Sequence, residues 1–281
     1  MKLQYEVQMT NIPNDLYLFS AWQEAYVNQA TFIGKALDLE EINKNILAGS
    51  GSQVSKVSCA LLPEIVSEYI ILPVGATLTQ LCSPKIVSRG EVDSSKLFES
   101  SLTIPGRNTT AFFLVKNLLP KFKEIHESCH DEILASFKKE ETTLTLMIHS
   151  TKSLEEEHGL KEVVNLYDLW VEKTGQKLLP LGCLVAKRSL GKEKLIELTQ
   201  CLSRSLSYAD ENQPKILDLI MQRRKSQNKE AILQGINAWV TNETRSISKK
   251  GEEAIFCLLK MASPECFKIW SPEELIFNPN M

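Results

Sequence analysis

The sequence lacks the features that mark membrane, secreted and nucleic-acid-binding proteins. No apolar run approaches the roughly 18 residues that a membrane helix needs. Residues 1–9 carry Glu6 and alternate like a strand, without the apolar centre and cleavage site of a signal peptide. The net charge of −3 gives no reason to expect an anionic membrane or a nucleic acid as partner. We therefore expect a cytoplasmic protein that binds neither.

Cysteine pairs and repeats are also lacking. The seven cysteines are scattered, their number is odd, and no C-x-x-C motif occurs, which favours free thiols in a reducing compartment over a disulfide framework. A catalytic cysteine stays open as an alternative. There is no internal repeat or low-complexity segment. With 281 residues, 43% of them hydrophobic and 24% charged, the chain suits one large globular domain or two lobes.

Hydrophobic periodicity predicts an α/β protein with a helical C-terminal part. The predicted strands are Leu3–Met9, Val54–Leu61, Tyr69–Val74, Lys85–Ser88, Leu102–Ile104, Lys121–Glu127, Thr142–Ser150, Leu160–Leu166 and Cys183–Lys187. The predicted helices are Leu16–Asn28, Asp38–Ala48, Pro63–Glu68, Ala111–Leu119, Tyr167–Gly175, Lys192–Ala209, Pro214–Gln227, Lys229–Val240 and Lys249–Met261. Asp38 is expected to cap its helix.

Two changes of pattern predict two lobes. Residues 90–95 indicate a crossing into a second lobe, and the strand Cys183–Lys187 is expected to return the chain to the first. We place lobe 1 at residues 1–92 and 190–281, and lobe 2 at residues 93–189. Lobes joined by two connections can close on a ligand like a hinge.

His149 ends the buried strand Thr142–Ser150. Ligands of open α/β sheets bind outside the carboxyl ends of the strands, so this histidine lies where chemistry is expected. The alternative is a strand-end histidine that only hydrogen-bonds the backbone.

The turn at residues 105–111 leads into the helix Ala111–Leu119. A glycine, an Asn or Thr cap and free N–H groups in the first helical turn can form a cradle for a carboxylate or phosphate. The alternative is an ordinary capped helix.

His126-Glu127-Ser128-Cys129-His130 has the letters of the H-E-x-x-H zinc motif. That motif works when one helix presents both histidines on one face. Here Lys121–Glu127 alternates like a strand and the helical pattern begins only near Asp131, so we expect the ligands to be separated. A zinc hydrolase through His126, Glu127 and His130 remains an alternative.

A series of short motifs extends from about residue 9 to residue 262. In order they are Pro13-Asn14-Asp15, Lys56-Val57-Ser58, Ile104-Pro105-Gly106 with Thr109-Thr110-Ala111, Ile148-His149, Gly159-Leu160, Tyr167-Asp168-Leu169-Trp170, Leu179-Pro180-Leu181-Gly182, Ser205-Leu206-Ser207-Tyr208-Ala209 and Gly251-Glu252-Glu253-Ala254. The series resembles the 1,4-dihydroxy-6-naphthoate synthase family of the futalosine route to menaquinone. I-P-G-x-x-T-T-A, then I-H, then L-P-L-G is the specific part.

The resemblance implies a two-lobed periplasmic-binding-protein-like (type II) fold, in which each lobe is a mixed sheet flanked by helices and the cleft lies between the lobes. It implies a cytoplasmic carbon–carbon lyase that cleaves cyclic dehypoxanthine futalosine to release the naphthoate, with no cofactor. His149 matches the family's proton acceptor. The residues expected to bind the substrate are Lys56, Val57, Ser58, Thr110 and Ala111, with Asn14 and Asp15 lining the cleft. The expected partner is a small carboxylate, and a second copy in a homodimer is allowed.

The chain also departs from the family pattern. Ser150 follows the histidine where the family has Glu, and residues 10–12, 81–84 and 235–241 differ from the usual S-P-C, G-C-G-P and H-I-x-L-Y-V-N. These changes keep other readings open. One is a non-catalytic protein that binds or senses a small acid on the same fold, and a second is a relative of the chorismate dehydratases.

Overall fold

The computed structural model describes residues 3–25, 30–80, 83–129, 132–133, 135–136, 144–148, 155–156, 158–225 and 228–279. Its strands are β1 (Leu3–Thr10), β2 (Ala30–Leu37), β3 (Val54–Ser58), β4 (Tyr69–Ile71), β5 (Thr77–Thr79), β6 (Lys85–Arg89), β7 (Ser101–Ile104), β8 (Glu124–Glu127), β9 (Leu144–Met147), β10 (Leu160–Asn165) and β11 (Leu179–Lys187).

The helices follow the predicted order, with further short ones in the tail. They are α1 (Pro13–Ala25), α2 (Leu39–Leu47), α3 (Leu62–Ile65), α4 (Thr110–Leu118), α5 (Leu166–Thr174), α6 (Lys192–Glu211), α7 (Gln213–Arg224), α8 (Lys229–Trp239), α9 (Asn242–Arg245), α10 (Lys249–Ala262), α11 (Cys266–Ile269) and α12 (Pro272–Leu275). The Asp38 side chain caps α2 by accepting from the Glu40 N–H at 2.8 Å, as predicted. Among the residues described, no helix is long and apolar enough to span a bilayer.

The strands form two mixed sheets, which confirms the predicted α/β class. In the first sheet the order is β2-β1-β3-β11-β4, and β5 also pairs with β11. Strands β1, β2 and β3 are parallel, whereas β11 runs antiparallel to β3, β4 and β5. In the second sheet the order is β10-β6-β9-β7-β8. There β7 is parallel to β8 and β9, and β6 is antiparallel to β9 and β10.

The chain passes between the two sheets at points that differ from the lobe limits indicated by the sequence. β6 pairs with β9 and β10, so the chain enters the second sheet before β6 and not at residues 90–95. β11 belongs wholly to the first sheet, although all nine of its residues fall inside the predicted second lobe, 93–189. The division into lobes at 1–92 with 190–281 and at 93–189 stays a prediction, and the sheets favour limits near residues 80–84 and 175–178.

Several strands differ from the expected pattern. Those predicted at Tyr69–Val74 and Lys121–Glu127 are shorter in the structure, at Tyr69–Ile71 and Glu124–Glu127. The strand predicted at Val54–Leu61 ends at Ser58 because a 3-10 turn, Cys59–Leu61, follows it. β2 and β5 are not predicted. β2 is an edge strand in which Phe32 is buried but the neighbouring hydrophobic residue Ile33 is exposed. Hydrophobic and polar residues therefore do not alternate regularly along it. β5 has only three residues, too few to show a period.

Apolar side chains fill both faces of the central strand β11. Cys183 and Val185 belong to a core that also contains residues of the second sheet and of α4, α5 and α10. Leu184 and Ala186 belong to a second core with α1 and the tail helices α6, α7 and α8. Because successive side chains of a strand point to opposite faces, β11 joins the two cores. The ends of β3 and β11 are thereby held rigidly where the polar residues collect.

Candidate functional site

Polar side chains converge on a cleft between the two sheets. Its inner part is lined by Thr10, Ile12, Asn14, Asp15, Leu39, Lys56, Ser58, Thr77, Thr109, Thr110, Ala111, Ile148, Leu181 and Gly182, and contains about 410 Å³ of space, some of it open to solvent. An outer part shares Thr10, Ile12, Leu39, Thr109 and Ile148 with it, so the two are continuous. A water-sized molecule has room in about 30 Å³ of the inner part and in about 380 Å³ of the outer part. Typical ligand pockets measure about 300–1,000 Å³, so the room for a small ligand comes mostly from the outer part.

The structure brings six of the predicted site residues together here. Lys56, Ser58, Thr110, Ala111, Asn14 and Asp15 all line the inner cleft, although they come from three distant parts of the chain. Val57 does not line it, because it alternates with Lys56 and Ser58 on β3 and its side chain lies in the apolar core. A contact between Val57 and the substrate stays a prediction, and it would have to be made by the backbone of Val57.

His149 lies outside the described residues, so its predicted role as proton acceptor stays a prediction. The residue before it, Ile148, lines both the inner and the outer cleft. β9, which precedes Ile148, is buried at every residue from Leu144 to Met147, in agreement with the predicted strand covered on both faces. The chain thus enters the cleft at the position directly before His149.

The buried ammonium of Lys56 is held by protein groups. Its Nζ donates to the Gly75 carbonyl oxygen at 2.7 Å and to Thr77 Oγ1 at 2.8 Å, and it forms an ion pair with Asp15 Oδ1 at 3.5 Å. These two hydrogen bonds use two of the three N–H donors of the ammonium, and a contact of Lys56 with the substrate stays a prediction. Lys56 therefore organises the inner cleft, and Asp15 balances its charge.

Asp15 joins the cleft loop to the start of α1. Its Oδ2 accepts from Thr10 Oγ1 at 2.6 Å and from the Thr10 N–H at 3.3 Å. A carboxylate in the first turn of a helix also interacts favourably with the positive end of the helix dipole. These contacts connect Thr10, which lies in the part of the loop that differs from the family's usual sequence (residues 10–12), to Asp15, which matches it.

Asn14 presents a buried acceptor to the cleft. Its Nδ2 donates to Asp15 Oδ1 at 3.1 Å and to Thr77 Oγ1 at 3.5 Å, which sets the orientation of the amide. Its Oδ1 is buried and accepts no hydrogen bond from any residue that the structure describes. Leaving a buried acceptor unsatisfied costs about 1–3 kcal/mol, so this oxygen is suited to accept from a ligand hydroxyl.

The turn before α4 has the geometry of an anion cradle. Thr109 is the N-cap: its Oγ1 accepts from the Phe112 N–H at 3.2 Å and itself donates to the Gly106 carbonyl oxygen at 2.9 Å. The first N–H groups of a helix have no partner inside the helix, and the helix dipole makes this end positive. The N–H groups of Thr110 and Ala111 are in this position, as the sequence predicts.

The hydroxyl of Thr110 is used by the protein itself. Its Oγ1 donates to the Leu181 carbonyl oxygen at 2.7 Å and accepts from the Ala60 N–H at 3.2 Å. These two bonds tie the start of α4 to β11 and to the turn after β3. Thr110 and Ala111 can therefore offer a ligand their backbone N–H groups, and the side chain of Thr110 holds them in place.

A sequence profile of the family described as "Menaquinone biosynthesis" matches residues 6–264. The chain belongs to this family. It is 29% identical over 264 residues to a 1,4-dihydroxy-6-naphthoate synthase of Thermus thermophilus, covering 94% of this chain and 95% of the relative. It is 25% identical over 265 residues to one from Streptomyces coelicolor, covering 92% of this chain and 93% of the relative.

Solved structures confirm the predicted fold of this menaquinone biosynthesis protein. A crystal structure of a protein from Archaeoglobus fulgidus matches with a TM-score of 0.83 at 25% identity, over 94% of this chain and 98% of that one. The alkanesulfonate-binding protein SsuA of Xanthomonas axonopodis matches with a TM-score of 0.69 at 8% identity, over 98% of each chain. The latter shows that the fold is that of the periplasmic binding proteins.

The H-E-x-x-H motif does not lie on a single helix here, as a zinc site of that kind requires. Residues Glu124–Glu127 are the strand β8, on which His126 and Glu127 point to opposite sides. Glu127 is paired with Lys44 at 2.5 Å and with Arg107 at 3.5 Å. His130 lies outside the described residues, and those that are described contain no group of three His, Cys, Asp or Glu side chains placed to hold a metal ion.

Sequence reasoning missed several site residues. Thr10 and Thr77 bond to Asp15 and Lys56 in the inner cleft, and Glu40 and Asn43 of α2 were missed as well. Asn43 is fully buried and contacts Ser58, while Glu40 receives two hydrogen bonds from Asn108. Burial raises the pKa of the Glu40 carboxyl, and the hydrogen bonds from Asn108 oppose that rise. Their signal in the sequence is slight: Glu40 reads as an ordinary acidic first-turn residue, and Asn43 lies on the same helical face as the buried Ile46.

Proposed function

We propose that this protein is a carbon–carbon lyase that converts cyclic dehypoxanthine futalosine to 1,4-dihydroxy-6-naphthoate. The family membership and the names of the two relatives support the reaction. The observation that carries the proposal for this chain is the meeting of Asn14, Ser58, Thr110 and Ala111 in one cleft. These are the positions that the resemblance implies for the substrate, and they come from both sheets. A cytoplasmic location and a homodimer belong to the same proposal.

The cleft offers complementary groups to a substrate with a carboxylate and hydroxyls. The N–H groups of Thr110 and Ala111, at the positive end of α4, would receive the carboxylate. Asn14 Oδ1 would accept from a hydroxyl, and Ser58, whose Oγ accepts from Asn43 Nδ2 at 3.0 Å, still has its own O–H to donate. Lys56 and Asp15, which also line the inner cleft, would hold these groups in place beside the substrate.

His149 would accept a proton from the substrate as the carbon–carbon bond breaks. A neutral imidazole, with an ordinary pKa of about 6.5, can take a proton at cytoplasmic pH. A positioned base contributes about 10²–10⁴ in rate. Closing of the cleft around the substrate would exclude water from the reacting atoms.

The test is product formation by the purified protein. The wild type, His149→Ala and the control His126→Ala are incubated with cyclic dehypoxanthine futalosine, and the naphthoate is measured by mass spectrometry. We expect product from the wild type, a loss of at least about 100-fold in His149→Ala, and a rate within twofold in His126→Ala, because His126 is 60% exposed on β8 outside the cleft. A folded wild type that binds the substrate without turnover would contradict the proposal and indicate a binding protein.

A further inference from the structure

Helix α2 connects the two halves of the cleft. It belongs to the part of the chain that forms the first sheet, and it lies between the end of β3 and the turn that precedes α4 of the second sheet. Asn43 Nδ2 donates to Ser58 Oγ at 3.0 Å and to the Asn108 carbonyl oxygen at 3.1 Å. Asn43 Oδ1 accepts from the Ser58 N–H at 3.1 Å. One fully buried amide therefore holds groups from both halves.

Glu40 makes the second connection, one helical turn before Asn43. Its Oε2 accepts from the Asn108 N–H at 3.0 Å and its Oε1 accepts from Asn108 Nδ2 at 2.6 Å. Both carboxylate oxygens are thus used on a single residue of the turn. Hydrogen bonds to a carboxylate are stronger than those between neutral groups, so this contact fixes both the backbone and the side chain of Asn108.

Gly106 shows that the turn is shaped around this carboxylate. A Cβ at position 106 would lie 2.3 Å from Glu40 Oε2 and 2.6 Å from Glu40 Cβ, so any other residue here would force the turn or Glu40 to shift. The glycine of the I-P-G motif is therefore required for the approach of Glu40. The turn, the Glu40 carboxylate and the N-cap Thr109 are thus connected, and the N–H groups of Thr110 and Ala111 follow directly after them in the chain.

We propose that Glu40 and Asn43 are positioning residues that set the distance between Ser58 and the N–H groups of Thr110 and Ala111. Neither residue touches the substrate in this proposal. They act through Ser58 and Asn108, and they keep the two substrate-binding segments at one separation. The kinetic part of the proposal rests on the proposed function, whereas the effect on the turn does not.

The test compares Glu40→Gln with Asn108→Ala, which remove the same contact from its two sides. The Gln amide keeps one acceptor but loses the other, so one of the two Asn108 bonds is lost. We expect KM for the futalosine substrate to rise at least about tenfold in both variants, with kcat within threefold, because the contact holds binding groups and not the proton acceptor. Glu64→Gln is the control, since Glu64 is exposed on α3 and loses the same charge.

Hydrogen–deuterium exchange supplies a readout that does not depend on activity. We expect residues 105–112 to exchange faster in Glu40→Gln than in the wild type and Glu64→Gln. If exchange in this segment is unchanged, or if it is faster while KM stays within twofold, the positioning role is wrong and the contact serves stability alone. If the wild type forms no naphthoate, the proposed function fails and exchange decides the positioning role by itself. If Glu40→Gln does not fold, Asn108→Ala decides.

Discussion

At the scale of single residues, the cleft is organised by buried groups that bond to one another before any ligand arrives. Lys56 and Asp15 are 5% and 4% exposed and form a buried ion pair. Such pairs contribute little to stability in themselves, because desolvation of the two charges offsets their attraction. Their value here is geometric, since they orient Thr10, Asn14 and Thr77 around the inner cleft.

Lys56→Met would leave the Asp15 carboxylate buried without its cation. We expect a loss of about 3–5 kcal/mol in the free energy of unfolding, measured by urea denaturation, because breaking one side of a buried pair leaves an uncompensated charge. The double variant Lys56→Met with Asp15→Asn should regain part of this loss. If the single variant loses less than about 1 kcal/mol, the pair behaves like a surface salt bridge and the account of Lys56 is wrong.

At the scale of elements, the sequence predicted most helices and the chemistry at their ends. The anion cradle was predictable because Thr109, Thr110 and Gly106 are local signals of a capped helix start. The role of α2 was not, because Glu40 and Asn108 are 68 residues apart and meet only when the two sheets come together. The strand β6 itself was predicted, at Lys85–Ser88, but its place in the second sheet was not, because its pairing with β9 depends on tertiary structure that no local pattern of the sequence indicates.

Thr109→Ala tests the cradle as an element. The N-cap bond to the Phe112 N–H is lost, so we expect about 1 kcal/mol less stability and a higher KM, because the Thr110 and Ala111 N–H groups lose their fixed direction. Thr109→Ser keeps the hydroxyl and should retain both properties. Thermal denaturation and steady-state kinetics of the two variants give the comparison. A wild-type KM for Thr109→Ala would show that the cradle does not bind the substrate.

At the scale of the whole molecule, the helical tail supports the cleft from behind. Asp210 on α6 accepts from Tyr17 Oη of α1 at 3.0 Å and from Arg245 Nε near the end of α9 at 2.8 Å. Burial, followed by the charge of Asp210, raises the pKa of Tyr17 to about 12, so its phenol stays protonated at physiological pH. The tail thus fixes α1, and α1 carries Asn14 and Asp15 into the cleft.

Two of the residues that depart from the family pattern, Thr10 and Gly235, have contacts in the structure that fit the residue present. Thr10 replaces the usual first letter of the family's loop motif, and its hydroxyl supplies a hydrogen bond to Asp15. Gly235 stands where the family has histidine, and a Cβ there would lie 3.3 Å from Pro13 Cγ at the start of α1. The glycine leaves room for the close approach of α8 to Pro13 at the start of α1. Ser150, which replaces a glutamate, lies outside the described residues.

Binding of the substrate by its carboxylate in the cleft between the two sheets can be tested with a crystal structure of the protein with 1,4-dihydroxy-6-naphthoate bound. We expect the naphthoate in the cleft, with its carboxylate oxygens about 2.7–3.2 Å from the backbone nitrogens of Thr110 and Ala111. A naphthoate bound elsewhere on the protein, or in the cleft with its carboxylate directed away from the start of α4, would contradict it.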